Sequence, residues 1–100
     1  MADFVRLCAT TDVAPGTGTT IQVSGKEIAV FNVDGAFHAL DNTCPHRGGP
    51  LGEGELDGCL VMCPWHAWQF DVTSGESVTD DLVVARYETR VEGDEVQVAL

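Results

Sequence analysis

One hundred residues suffice for one small domain and leave no room for a second core. Apolar residues make up 44% and charged residues 21%, a globular rather than a disordered balance. Sixteen acidic against five basic residues give a net charge of -11, which argues against nucleic-acid binding because phosphates would be repelled.

The same charge suits solubility and steering toward a basic partner. No apolar run approaches the roughly 20 residues of a membrane span. Between Met1 and Thr10, Asp3 and Arg6 interrupt a short apolar stretch, so the segment does not read as a secretory signal. A cytoplasmic protein without membrane association is expected. In that setting four cysteines point to metal binding rather than to a disulfide framework.

Short β-runs separated by turn signals follow one another along the chain. Phe4–Ala9 is a first strand, followed by a loop through Asp12, Pro15, Gly16 and Gly18. Thr19–Val23 and Glu27–Val33 flank a turn at Ser24-Gly25-Lys26. Asp34-Gly35 is a two-residue hairpin turn into Ala36–Leu40. A first irregular loop, about 41–55, is rich in Gly and Pro. Leu56–Met62 returns to β character, with a turn or bulge at Asp57-Gly58. A second loop, about 63–68, leads into Trp68–Val72, with Trp68, Phe70 and Val72 on one face. Leu82–Val91 and Glu95–Leu100 form a last hairpin around Glu92-Gly93-Asp94. There Tyr87, Thr89 and Val91 face inward with Val96, Val98 and Leu100, while Arg86, Glu88, Arg90 and Gln97 face out. No helix is predicted. The expected fold is all-β, an antiparallel sandwich or barrel spanning 1–100 as a single domain.

The two loops carry the chemistry. The first contains Cys44-Pro45-His46 and the second Cys63-Pro64-Trp65-His66. Two thiolates and two imidazoles on two neighbouring loops can converge on one metal. The proline after each cysteine fixes φ and stiffens the ligand loop. Tetrahedral zinc would accept the same donors, although zinc-finger spacing and a following helix are absent.

These residues resemble the Rieske iron–sulfur family. Its pattern Cys-x-His, a gap, then Cys-x-x-His is met by Cys44, His46, Cys63 and His66. The surrounding words, Cys-Pro-His-Arg-Gly-Gly-Pro-Leu at 44–51 and Cys-Pro-Trp-His-Ala-Trp-Gln-Phe-Asp at 63–71, are similar to small Rieske ferredoxins. The resemblance implies a Rieske-like fold with a small cluster-binding subdomain of two loops. It also implies one 2Fe–2S cluster, with Cys44 and Cys63 on one iron and His46 and His66 on the other. Neutral imidazoles in place of two thiolates make the added electron easier to accept, hence potentials of about -150 to +300 mV against about -400 mV for plant-type ferredoxins. His46 and His66 would then face the electron's entry and exit.

Other positions refine that expectation. Quinol-oxidising members carry an extra disulfide between the loops, at positions that are Gly49 and Trp65 here. They also donate hydroxyls to the cluster from positions that are Trp68 and Phe70 here. Both devices are missing, so a potential at the low end, near roughly -150 mV, is expected. The family's proline-bearing third loop corresponds to Val78-Thr79-Asp80-Asp81-Leu82, which has no proline. Gly48, Gly49 and Gly52 suit close approach of backbone to the cluster sulfides. Arg47 suits either a docking carboxylate or the loop carbonyls. Trp65 and Trp68 suit shielding, and Cys8, Cys59 and His38 read as structural, the cysteines buried and His38 partly exposed.

The implied role is a monomeric, soluble one-electron carrier between a flavin-dependent reductase and a terminal aromatic-ring-hydroxylating oxygenase, with no catalytic residue of its own. The alternatives are a small redox subunit of an assimilatory nitrite reductase and a zinc-stabilised interaction module. A mononuclear iron oxygenase would need ligands that His38 alone cannot supply. A flavin or nicotinamide enzyme would need a glycine fingerprint absent here.

Overall fold

Residues Ile28 to Phe31 form an unbroken apolar run, and all four are fully buried in the computed structural model. That model describes residues 4–43, 49–64, 68–78 and 82–99. A strand apolar at every position needs cover on both faces, and the architecture supplies it.

The strands are β1 (Phe4–Ala9), β2 (Thr17–Val23), β3 (Lys26–Val33), β4 (Ala36–Asp41), β5 (Glu55–Asp57), β6 (Leu60–Met62), β7 (Gln69–Asp71), β8 (Arg86–Tyr87), β9 (Thr89–Glu92) and β10 (Glu95–Ala99). They form three antiparallel sheets, ordered β1-β10-β9, β2-β3-β4-β8 and β5-β6-β7. The four-stranded sheet is central. Ile28, Val30 and Ala39 join Leu7, Cys8, Val13, Val96 and Val98 in a core toward the terminal sheet. Ala29, Phe31 and Leu40 join Leu51, Val61, Cys63, Phe70, Val72 and Val84 in a second core toward the small sheet. Each fully buried large apolar side chain contributes roughly 1.5–3 kcal/mol, so β3 stabilises both interfaces at once.

The all-β expectation holds: among the described residues the only helical elements are single 3-10 turns at Thr10–Asp12 and Leu51–Glu53. Phe4–Ala9 matches its expected bounds. Asp34 and Gly35 both have positive φ, 52° and 92°, and the Asn32 side chain accepts from the Gly35 amide at 2.8 Å. This is the Asp-Gly turn that a two-residue hairpin selects.

The turn expected at Asp57-Gly58 is present: Gly58, at φ 61°, reverses the chain and Asp57 pairs with Leu60. Two expectations are corrected. Leu82–Val91 is divided between two strands. Arg86–Tyr87 pairs with β4, Thr89–Glu92 pairs with β10, and the chain changes sheets at Glu88. Alternation runs through that crossing unbroken, so apolar pattern alone does not reveal the change of partner. Val91 is 48% exposed rather than inward, since it lies on the outermost strand of its sheet. Leu100 lies outside the described residues.

Candidate metal centre

The first ligand loop leaves β4 and is pinched at its base. Thr43 and Pro50 form an isolated antiparallel bridge, and the Leu51 amide donates to the Asn42 carbonyl at 2.8 Å. Asn42 is 3% exposed. Its side-chain oxygen accepts from the Gly52 amide at 2.8 Å and from Thr20 Oγ1 at 3.0 Å, while its backbone N–H donates to the Glu27 carbonyl. One buried amide side chain thus ties β2 to the 3-10 turn Leu51–Glu53. Gly52 is pressed against β2, where a Cβ would overlap Thr20 Oγ1 and the Thr19 backbone. The tight packing of Gly52 against this strand is the loop geometry that requires a glycine there. Asp41 closes β4 and Glu55 opens β5, so the irregular part is shorter than 41–55.

The second loop is held by the small sheet. Cys63 follows the last residue of β6, and its amide donates to the Trp68 carbonyl at 2.9 Å. Cys63 is 2% exposed and shares a core with Leu51, Val61 and Phe70, against which Trp68 also packs. A Cβ at Gly54 would overlap the carbonyl oxygen of Met62. The exit of the first loop therefore abuts the strand that delivers Cys63, and the two loop bases share one dry floor.

Cys44, His46 and His66 lie outside the described residues, as do Arg47, Gly48 and Trp65, and the third-loop positions Thr79 to Asp81. Of the four candidate ligands, Cys63 is the one whose placement is described. Among the described residues no three His, Cys, Asp or Glu side chains gather to hold a metal. Cys8 is buried, as expected. Cys59 is only half-buried, and it sits in the turn between β5 and β6 rather than on a strand. Half-buried His38 lies on β4 opposite Phe31. Its imidazole pKa is lowered by burial, then by the Arg86 guanidinium, with Asp71 acting in the opposite sense. Asn42 was not singled out by the sequence. Its one signal is position, an Asn directly after an apolar strand, where its side chain readily bonds nearby backbone.

The family model of the Rieske 2Fe-2S domain matches residues 3–92. The chain belongs to this family. A p-cumate 2,3-dioxygenase system ferredoxin component from Pseudomonas putida is 42% identical over 79 residues, covering 77% of this chain and 67% of that protein. A solved complex of reduced oxygenase and oxidized ferredoxin in carbazole 1,9a-dioxygenase contains a chain 33% identical, with TM-score 0.88, covering 96% of this chain and 92% of that one. A Mycobacterium tuberculosis chain described as the small subunit of an NADH-dependent nitrite reductase superposes with TM-score 0.91 at 27% identity, covering 100% of this chain and 96% of that one.

The cofactor of this Rieske chain is one 2Fe–2S cluster. The candidate donors fit it chemically: the thiols of Cys44 and Cys63 and the imidazoles of His46 and His66 would hold it, Cys44 following the bridged Thr43 in sequence and Cys63 following β6. When bound, such a cluster supplies one reversible electron. The described residues contribute the floor at the two loop bases. Leu51, Val61, Phe70 and Val72 are fully buried and keep water from the floor. Phe70 and Trp68 carry no hydroxyl to donate to sulfur. Among the described residues no helix is long and apolar enough to cross a membrane.

Proposed function

We propose that this chain is a one-electron carrier that takes electrons from a flavin-dependent reductase and delivers them to a terminal aromatic-ring-hydroxylating oxygenase. In this reading 1–100 acts as one cytoplasmic, monomeric domain, and Cys44, His46, Cys63 and His66 hold the cluster. The observation that carries it is the likeness to the ferredoxin–oxygenase complex over nearly the whole chain, at an identity above that of the nitrite reductase relative. The supporting chemistry is the donor set on two loops whose bases share one buried floor. The chain carries an electron and transforms no substrate.

The test is anaerobic purification followed by visible absorption and protein-film voltammetry. Coloured protein with a one-electron wave near roughly -150 mV supports a low-potential carrier. His66→Ala should lose the cluster's colour, and an unchanged spectrum would remove His66 from the ligand set. Colourless protein holding zinc would replace the reading with an interaction module. The nitrite reductase alternative is favoured by the TM-score of 0.91. Chromatography of native extract separates the two: a shuttle travels alone, whereas a subunit stays with its large partner.

A further inference from the structure

We propose that β2 and β5 form a docking groove for an extended, cationic polypeptide segment of a partner protein. The proposal goes beyond the electron-carrier reading and does not depend on it. Each strand is the outermost of its sheet, and together they line a groove of about 550 Å³.

The free hydrogen-bonding edge can be located from bonds elsewhere in the ladders. The Cys63 amide donates to Trp68 and the Val72 amide to the Cys59 carbonyl, so odd-numbered residues of β6 bond β7. Alternation then directs Leu60 and Met62 to β5, where their partners are Asp57 and Glu55. The N–H and C=O of Leu56 are left pointing away from β6. On the other wall, the Asn42 amide bonds the Glu27 carbonyl, so odd-numbered residues of β3 face β4. Gly18, opposite Phe31, therefore turns its peptide groups away from β3. Among the described residues no backbone bond takes up the outward groups of Gly18 or Leu56.

Glycines line both walls. A Cβ at Gly18 would overlap the Phe31 ring, and one at Gly54 would overlap the Met62 carbonyl. Packing against Phe31 and Met62 thus demands a glycine on each wall.

Charge selects the occupant. Glu55 and Asp57 are exposed and two apart on one strand, so they project to the same side. No Lys or Arg lines the groove. The ion pairs among the described residues, Arg6–Glu95 and Arg90–Glu92, leave both carboxylates out. A second copy of a chain with net charge -11 would be repelled, which also protects the edge from self-pairing. An extended segment with Lys or Arg at alternate positions meets both carboxylates while its backbone bonds Leu56 or Gly18.

The test titrates the holoprotein with a capped, alternating Lys-Val hexapeptide, read by calorimetry and by amide hydrogen exchange. We expect exchange at Leu56 or at Gly18, whichever edge the peptide pairs with, to slow at least tenfold at saturation. Affinity should fall at least tenfold in Glu55→Gln/Asp57→Asn, and as much for a peptide N-methylated at alternate residues, which keeps the charge and blocks strand pairing. No binding at millimolar peptide would overturn the proposal. So would binding that protects neither Leu56 nor Gly18, or affinity indifferent to either change. Electron transfer is not read, so failure here leaves the carrier reading standing.

Discussion

The backbone amide of Cys63 donates to the carbonyl of Trp68 at 2.9 Å, which makes the base of the second ligand loop one more rung of the β6–β7 ladder. A candidate ligand is thus placed by sheet pairing rather than by loop geometry alone. The first loop is closed by one isolated bridge, Thr43–Pro50, and by the Leu51–Asn42 backbone bond, and the Asn42 side chain reinforces both.

Asn42→Ala removes the acceptor of the buried Gly52 amide and of Thr20 Oγ1. A buried donor without a partner costs about 1–3 kcal/mol. Because Asn42 also borders the Thr43–Pro50 bridge, the cost falls on the base of the first loop. Urea denaturation should show the midpoint falling with an unchanged slope. Visible absorbance of the holoprotein should decay faster than in wild type. A midpoint within error of wild type would show that the amide finds another partner.

Two glycines flanking β5 should respond differently to the same substitution. Gly58 holds φ 61° with open space where a Cβ would go, so Gly58→Ala costs only the left-handed backbone penalty of about 1–2 kcal/mol. Gly54 has no positive φ, but its Cβ would overlap the Met62 carbonyl, a backbone atom that cannot swing aside. Gly54→Ala should be the more damaging, at roughly 1–3 kcal/mol or above, because β5 must separate from β6 to make room. Thermal melts of the two variants side by side give the order, and the reverse order would mean that the hairpin relaxes easily.

How much of this was legible beforehand depends on the kind of signal each feature leaves. Cys44, His46, Cys63 and His66 stand out because ligand chemistry demands particular residue types at particular spacings. Asp34-Gly35 stands out because few residues tolerate its dihedral angles. The division of 82–91 between two sheets leaves no such mark: Tyr87 and Thr89 keep the same alternation whether they pair with one sheet or two. The role of Asn42 was hidden for a similar reason, since its partners Thr20 and Gly52 are brought to it only by the tertiary fold.

The two remaining cysteines differ in environment and should differ in reactivity. Cys8 is 3% exposed, and burial, with Asp12 adding to it and Arg6 opposing, pushes its thiol pKa upward. The thiolate is the reactive form, so Cys8 is both protonated and inaccessible. Cys59 is half-buried in the Asp57–Leu60 turn. Brief iodoacetamide treatment of native protein near neutral pH, followed by peptide mass mapping, should label Cys59 well ahead of Cys8. Unfolding in urea should remove the difference. Equal labelling in native protein would mean that β1 opens far more readily than its pairing with β10 suggests.

His38 supplies a pH dependence distinct from that of the candidate ligands. Burial first and Arg86 second lower its pKa from the usual 6.5, with Asp71 across on β7 opposing. Over that interval the unfolded chain takes up a proton that the folded chain does not. The group's contribution to stability is therefore fully present above about pH 6.5 and is lost as pH falls through the lowered folded value. Urea midpoints followed by circular dichroism should drop between about pH 7 and pH 5 in wild type and drop less in His38→Gln. The carboxylates common to both proteins set the background slope. Arg86→Ala removes the second cause and should move the His38 titration, followed by NMR, back toward 6.5. Parallel slopes for wild type and His38→Gln would show that His38 carries no folded-state penalty for protonation.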